Sequence, residues 1–160
     1  MPADTPDTRV PIDKQTRPVY RAQVAVAVAV REAVQQAGLD RKLVELVNIR
    51  ISQINGCAYC LDVHIRDALK GGEKAQRIAV LPAWRDTDLF TDVERAALTL
   101  AESVTTLPSS YEQDRAYAEA RACLTDEQLS AVVWVAIAMN SFNRISIVSR
   151  HQVRPDDWKS

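Results

Sequence analysis

The stretch Glu45-Leu46-Val47-Asn48-Ile49-Arg50-Ile51-Ser52-Gln53-Ile54-Asn55-Gly56-Cys57-Ala58-Tyr59-Cys60-Leu61-Asp62-Val63-His64 decides how this chain folds and where its chemistry lies. A helix capped by Asp40 runs from Arg41 to about Ile54 and halts at Asn55-Gly56, a natural break, and another starts near Cys57. On that second helix Cys57, Cys60 and His64 follow at spacings of three and four residues, so their side chains share nearly one face. Glu45 lies on the preceding helix, and an antiparallel return through Asn55 and Gly56 would carry its carboxylate toward His64.

Outward from this stretch, Gly and Pro fall between periodic segments. A first helix is predicted from about Val19 to Ala37, stopped by Gly38, and the helix begun near Cys57 ends at Gly71-Gly72. The run Val24 to Val30 alternates like a strand, but residues of helical preference flank it and no turn-linked partner strand exists, so it is read as helix. Thr91 with Glu94 forms a capping box for a helix to about Thr106, which Pro108 closes. Ser110 with Gln113, and Thr125 with Gln128, repeat that signature before Tyr111 to Cys123 and Asp126 to Ser149. The last of these is apolar all round from Ala131 to Met139, as expected of a central helix packed on several sides. With no hairpin, internal repeat or low-complexity linker, the prediction is an all-α, single-domain helical bundle. It spans 17–151, between a polar N-terminal segment (1–16) and a polar C-terminal tail (152–160).

Composition agrees with one domain: 160 residues and 17.8 kDa, 47% hydrophobic and 26% charged, which excludes a disordered or fibrous chain. A chain of this size buries roughly 68–70% of its unfolded surface, so folding needs neither disulfides nor metal and the cysteines are free for other work. The 20 basic and 21 acidic residues leave a net charge of -1 with no basic run, which argues against nucleic acid as a partner. Met1 to Pro18 lacks the apolar run of a signal peptide, and the expected location is the cytoplasm. The apolar runs Val24–Val30 and Ala131–Met139, of 7 and 9 residues, fall short of the ~18 that span a bilayer, and no membrane partner is expected. Three cysteines do not close a disulfide framework; in a reducing compartment a close pair points to redox chemistry or metal binding.

Following the break, Cys57 falls in the first helical turn, where unpaired amides and the helix dipole favour a thiolate. Lowering a thiol pKa from ~8.5 to ~7.5 raises the thiolate fraction about tenfold, worth roughly 1.4 kcal/mol of barrier. Proximity of the second thiol and proton delivery must supply much of the rest, and His64 is placed for that delivery. A zinc half-site is the competing reading of Cys-x-x-Cys with a nearby His, but the only further soft ligands are Cys123 and His151, without paired spacing. Cys123 is expected as a buried small hydrophobe outside the site, and Trp84, Phe90 and Trp134 as core residues more than pocket lining.

These residues resemble the thiol-containing, alkylhydroperoxidase D-like branch of the alkylhydroperoxidase and carboxymuconolactone decarboxylase superfamily. The family's motif is similar to Glu45 followed by Cys57, Cys60 and His64, and further resemblance runs through Ser52–Cys57, Gly71-Gly72-Glu73, Leu81–Arg85, Glu94–Leu98 and Asn143-Arg144, covering roughly Arg17 to His151. The resemblance implies the all-helical alkylhydroperoxidase D-like fold, a homo-oligomer (trimer or hexamer), and a cysteine-based alkyl hydroperoxide reductase with no cofactor and no metal. It implies that Cys60 attacks the peroxide, Cys57 resolves the sulfenic acid to a disulfide, His64 and Glu45 relay protons, and an external dithiol, lipoyl or thioredoxin-like, resets the pair. The best-known member has a histidine between the cysteines where this chain has Tyr59, so a relay through that position is altered. The helix dipole favours Cys57 and the base favours Cys60; the base can also protonate the departing oxygen, which selects Cys60 as the attacking thiol. The rival readings are a thiol-disulfide oxidoreductase or adaptor that does not turn over peroxide, and a helical interaction module governed by a redox-sensing or zinc-bound pair.

Overall fold

The structure, a computed structural model, describes residues 9–155, which form α1 (Ile12–Gln15), α2 (Arg17–Gln36), α3 (Arg41–Asn55), α4 (Ala58–Lys70), α5 (Ala75–Val80), a 3-10 segment (Leu81–Asp86), α6 (Asp92–Thr106), α7 (Ser110–Arg121) and α8 (Asp126–Ser149). No strand occurs among the described residues, and the fold is all-α. The start of the N-terminal segment and the end of the tail lie outside the described residues.

Most helix ends fall where side-chain chemistry puts them. Asp40 accepts from the Lys42 amide to start α3, and the Thr91–Glu94 and Thr125–Gln128 capping boxes start α6 and α8. One box differs from expectation: α7 is opened by Ser109 with Glu112, not by Ser110 with Gln113. Both pairs fit the pattern, but the Glu112 carboxylate accepts from the amide and the hydroxyl of Ser109 at 3.1 and 2.7 Å, charge-assisted bonds that an amide cannot match. Gln113 donates to the Pro108 carbonyl instead. The alternating valines of the first long helix are helical as expected. Its inward positions Tyr20, Gln23, Ala27, Val30 and Val34 follow a spacing of three and four, while Val24, Val26 and Val28 stay exposed.

Two apolar clusters meet on α3. Leu43, Val47 and Ile51 face one cluster with Leu100, Val132 and Met139; Leu46 and Ile49 face the other with Leu81, Trp84 and Leu98. A helix that contributes opposite faces to two clusters is buried along its length, so α3 is a central helix, positioning everything attached to its end. α8, expected to be covered on several sides, packs against α2, α3 and α6 but leaves Trp134 50% and Ile137 43% exposed. Among the described residues it is also the one helix long and apolar enough, by length and composition, to cross a bilayer, although its unbroken apolar run is short. Its buried residues, including Val132, Val135, Ala136 and Met139, instead fill the first cluster. Trp84 and Phe90 are core residues as expected, with the Trp84 indole donating to Glu102 at 2.9 Å.

The capping assignment is checked by mutation: Ser109→Ala should cost about 1 kcal/mol in urea denaturation, whereas Ser110→Ala should stay within about 0.5 kcal/mol.

Candidate active site

The site is built on the end of α3. Gly56 takes a left-handed conformation (φ 68), which glycine adopts without the penalty of a Cβ. The Cys57 amide donates back to the Ser52 carbonyl at 3.0 Å, and the Gly56 amide to Gln53 at 3.3 Å. α4 then folds back along α3, and Cys57 becomes its N-cap residue, its sulfur accepting from the Cys60 amide at 3.4 Å.

This return joins the four predicted residues. Glu45, on α3, accepts from or shares a proton with His64 Nδ1 at 2.7 Å, a contact that spacing alone left as an inference. One turn from His64, the Cys60 sulfur stands 2.6 Å from that of Cys57, and the thiols are free. Little travel separates them from the ~2.05 Å of a disulfide bond. Both are buried, but only Cys60, at 4% exposure, borders the broad cavity between α2 and α4 into which His64 also opens.

The electrostatics overturn one expectation. Burial, followed by the hydrogen bond with Cys60, pushes the Cys57 thiol up to about 12, although the Cys60 amide and Asn143 pull the other way. The helix start does not ionise this thiol, because removing it from water costs more than one turn of amides returns. Cys57 is therefore a neutral thiol at physiological pH.

Several residues that the motif did not single out complete the site. Asn143, fully buried on α8, donates to Ser52 Oγ at 3.0 Å and accepts from Asn55 at 2.9 Å, fastening the break to the core. Asp67 brings a carboxylate within 4.8 Å of the Glu45 and His64 ligand atoms, a grouping whose oxygen and nitrogen donors suit a divalent cation. His151 and Asp13 line the same cavity as Cys60, with His151 Nε2 3.2 Å from Asp13 and its ring 5.2 Å from that of Tyr59. Burial, the largest single influence, raises the Asp13 carboxyl, but the adjoining His151 imidazole and the backbone amides of Asp13 and Lys14 together outweigh it, and the group lies below the usual carboxylate range. These partners come from opposite ends of the chain, which no local spacing reveals. Cys123 does not join them. It is exposed, not buried as expected, because the turn after α7 turns Leu124 inward instead.

Residues 18–103, which contain all four motif residues, match the sequence profile of the carboxymuconolactone decarboxylase family. The chain belongs to that family. It is 43% identical over 113 residues to the uncharacterized protein YdfG of Bacillus subtilis, covering 71% of this chain and 77% of that one. To the uncharacterized protein YnjA of Escherichia coli it is 30% identical over 74 residues, 46% of this chain and 41% of the other. A crystal structure from Agrobacterium tumefaciens, of a protein of unknown function provisionally assigned as the antioxidant defence protein AhpD, superposes with a TM-score of 0.83 at 30% identity. The match covers 94% of this chain and all of that one. The alkylhydroperoxidase D-like fold and the superfamily expected from the motif are thus both found.

The raised Cys57 pKa has a signed consequence in this family member. Between the ordinary value of 9.0 and about 12 the folded, reduced chain holds a proton that the unfolded chain has lost, so stability falls as pH rises through that window. Urea denaturation of reduced protein should show this loss above pH 9.0, and Cys57→Ser should show a shallower one.

Proposed function

We propose that the protein is a thiol-dependent peroxidase that reduces hydrogen peroxide or organic hydroperoxides through a Cys57–Cys60 disulfide cycle. The observation that carries this reading is the juxtaposition at the start of α4: a cavity-bordering Cys60 sulfur 2.6 Å from a neutral, enclosed Cys57 thiol, one turn from an imidazole fixed by a carboxylate. Membership in an enzyme family and the likeness to a provisionally assigned antioxidant protein agree with it.

In this mechanism His64, oriented by Glu45, takes the Cys60 proton. The thiolate attacks the nearer peroxide oxygen, the O–O bond breaks, and the departing oxygen receives the proton from His64, leaving Cys60 sulfenic acid and water or alcohol. Cys57 then attacks the Cys60 sulfur, its proton leaving with the hydroxyl as water, and a disulfide forms. An external dithiol, lipoyl or thioredoxin-like, donates two electrons and two protons to restore both thiols. Neutral Cys57 suits the second role, since a thiol kept protonated does not compete for peroxide. The cycle itself needs no haem, flavin or metal, and its expected location is the cytoplasm. Trp134 and Ile137 on α8, with Val24 and Val28 on α2, form exposed apolar surface that assembly into a homo-oligomer, a trimer or hexamer, would cover.

Rapid-mixing assays with hydrogen peroxide, tracking the sulfenic acid by mass, test the roles. Cys57→Ser should consume a single equivalent and stop, Cys60→Ser should consume none, and Glu45→Gln should slow the first step by roughly a hundredfold. The reverse pattern for the two cysteines would exchange their roles, and dithiol oxidation without peroxide consumption by the unaltered chain would establish the adaptor reading. Light scattering should report a trimer or hexamer that Ile137→Asp dissociates into smaller species.

A further inference from the structure

The cavity beside Cys60 has a wall made from the two ends of the chain. α1 is a four-residue helix, too short to hold its shape unaided, because forming a first turn fixes several residues for one hydrogen bond. It is held by contacts with the end of α8 and the residues just after it. The Ile12 amide donates to Ser149 Oγ at 3.2 Å, Arg9 donates to the Val148 carbonyl at 3.5 Å, and Asp13 stands against His151.

His151 is the centre of this wall. Its Nδ1 lies 3.2 Å from Ser146 Oγ and its Nε2 3.2 Å from Asp13 Oδ1. That carboxylate oxygen is buried and not aligned for a hydrogen bond with any group, so the close approach of His151 Nε2 is the side-chain contact that faces it. The imidazole in turn meets the Tyr59 ring edge-on at 5.2 Å, and Tyr59 immediately precedes Cys60 on α4. All four side chains of this chain of contacts, from Asp13 to Cys60, border one cavity. Cys60 exposes only 4% of its surface there, so what reaches the sulfur depends on the side chains around it.

We propose that Asp13 and His151 are specificity-determining residues: their contact holds α1 and Tyr59 against the cavity and limits the size of molecule that reaches Cys60. The inference rests on the peroxidase reading for its biological meaning, but access to the sulfur is measurable without it. An oxidant as small as hydrogen peroxide passes a fixed wall, whereas a hydroperoxide with a bulky substituent requires it to move.

The test compares alkylation by iodoacetamide with alkylation by the much larger N-(1-pyrenyl)maleimide, read by mass on the peptide that carries Cys57 and Cys60. Reduced full-length protein carrying Cys123→Ser is used, because Cys123 is exposed. Asp13→Asn, nearly isosteric, and His151→Asn should each raise the large-to-small rate ratio about fivefold, the scale of losing one partly buried ion pair. The double variant should rise no further than either single one, since both remove the same contact. An unchanged ratio in both variants, or equal acceleration of both reagents, would overturn the proposal. Melting curves for each variant separate a released wall from a loosened fold. In a parallel arm, kcat/KM for cumene hydroperoxide relative to hydrogen peroxide should shift in the same direction. If no peroxide oxidises the unaltered chain, the peroxidase reading fails, while the alkylation ratio still decides whether Asp13 and His151 control access.

Discussion

Everything in the candidate site depends on the reversal at Asn55-Gly56. A left-handed residue at Gly56 ends α3 and redirects the chain, and the buried Asn143 amide binds both Ser52 and Asn55 on the near side of the turn. Because α3 is packed into two apolar clusters, its end is a fixed platform. α4 must then return along it in a register that lays His64 against Glu45, nineteen residues earlier in the chain. Replacing the turn by continuous helix would place the same two residues at opposite ends of a rod, since each residue advances a helix by about 1.5 Å.

The two sulfurs occupy chemically different positions although they are only one turn apart. Cys57 is enclosed by the protein and its thiol stays protonated, while Cys60 borders the cavity and lies on the same helix face as His64. At Cys57 desolvation opposes the amides at the same atom and is the larger effect. This asymmetry suits a division of labour in which one sulfur meets the oxidant and the other answers only once its neighbour has been oxidised.

The outer surface follows from economy of apolar material. α8 supplies one side of the first core cluster and still carries Trp134 and Ile137 outward, while α2 does the same with Val24, Val26 and Val28. These residues lie on the faces that remain when a single chain has satisfied its own core. The ends of the chain are used differently: a short helix and a post-helical segment, each too small to fold alone, fasten one another beside the thiols through Asp13 and His151.

What the sequence determined by itself was local. The Asp40 cap, the Thr91 and Thr125 boxes and Gly56 set helix limits because each acts on amides or dihedral angles within a few residues, and the spacing of Cys57, Cys60 and His64 set their common face. Where two local solutions were nearly equivalent, as at Ser109 and Ser110, the pattern could not separate them, since the choice rests on the strength of a charged hydrogen bond over an uncharged one. Only the tertiary structure decided the proton state of Cys57, the role of Asn143, the exposure of Cys123 and the meeting of Asp13 with His151. Each of these depends on what surrounds a group in space. Desolvation and long-range ion pairing are properties of packed neighbours, and residues 138 positions apart in sequence carry no mutual signal until the helices between them have folded.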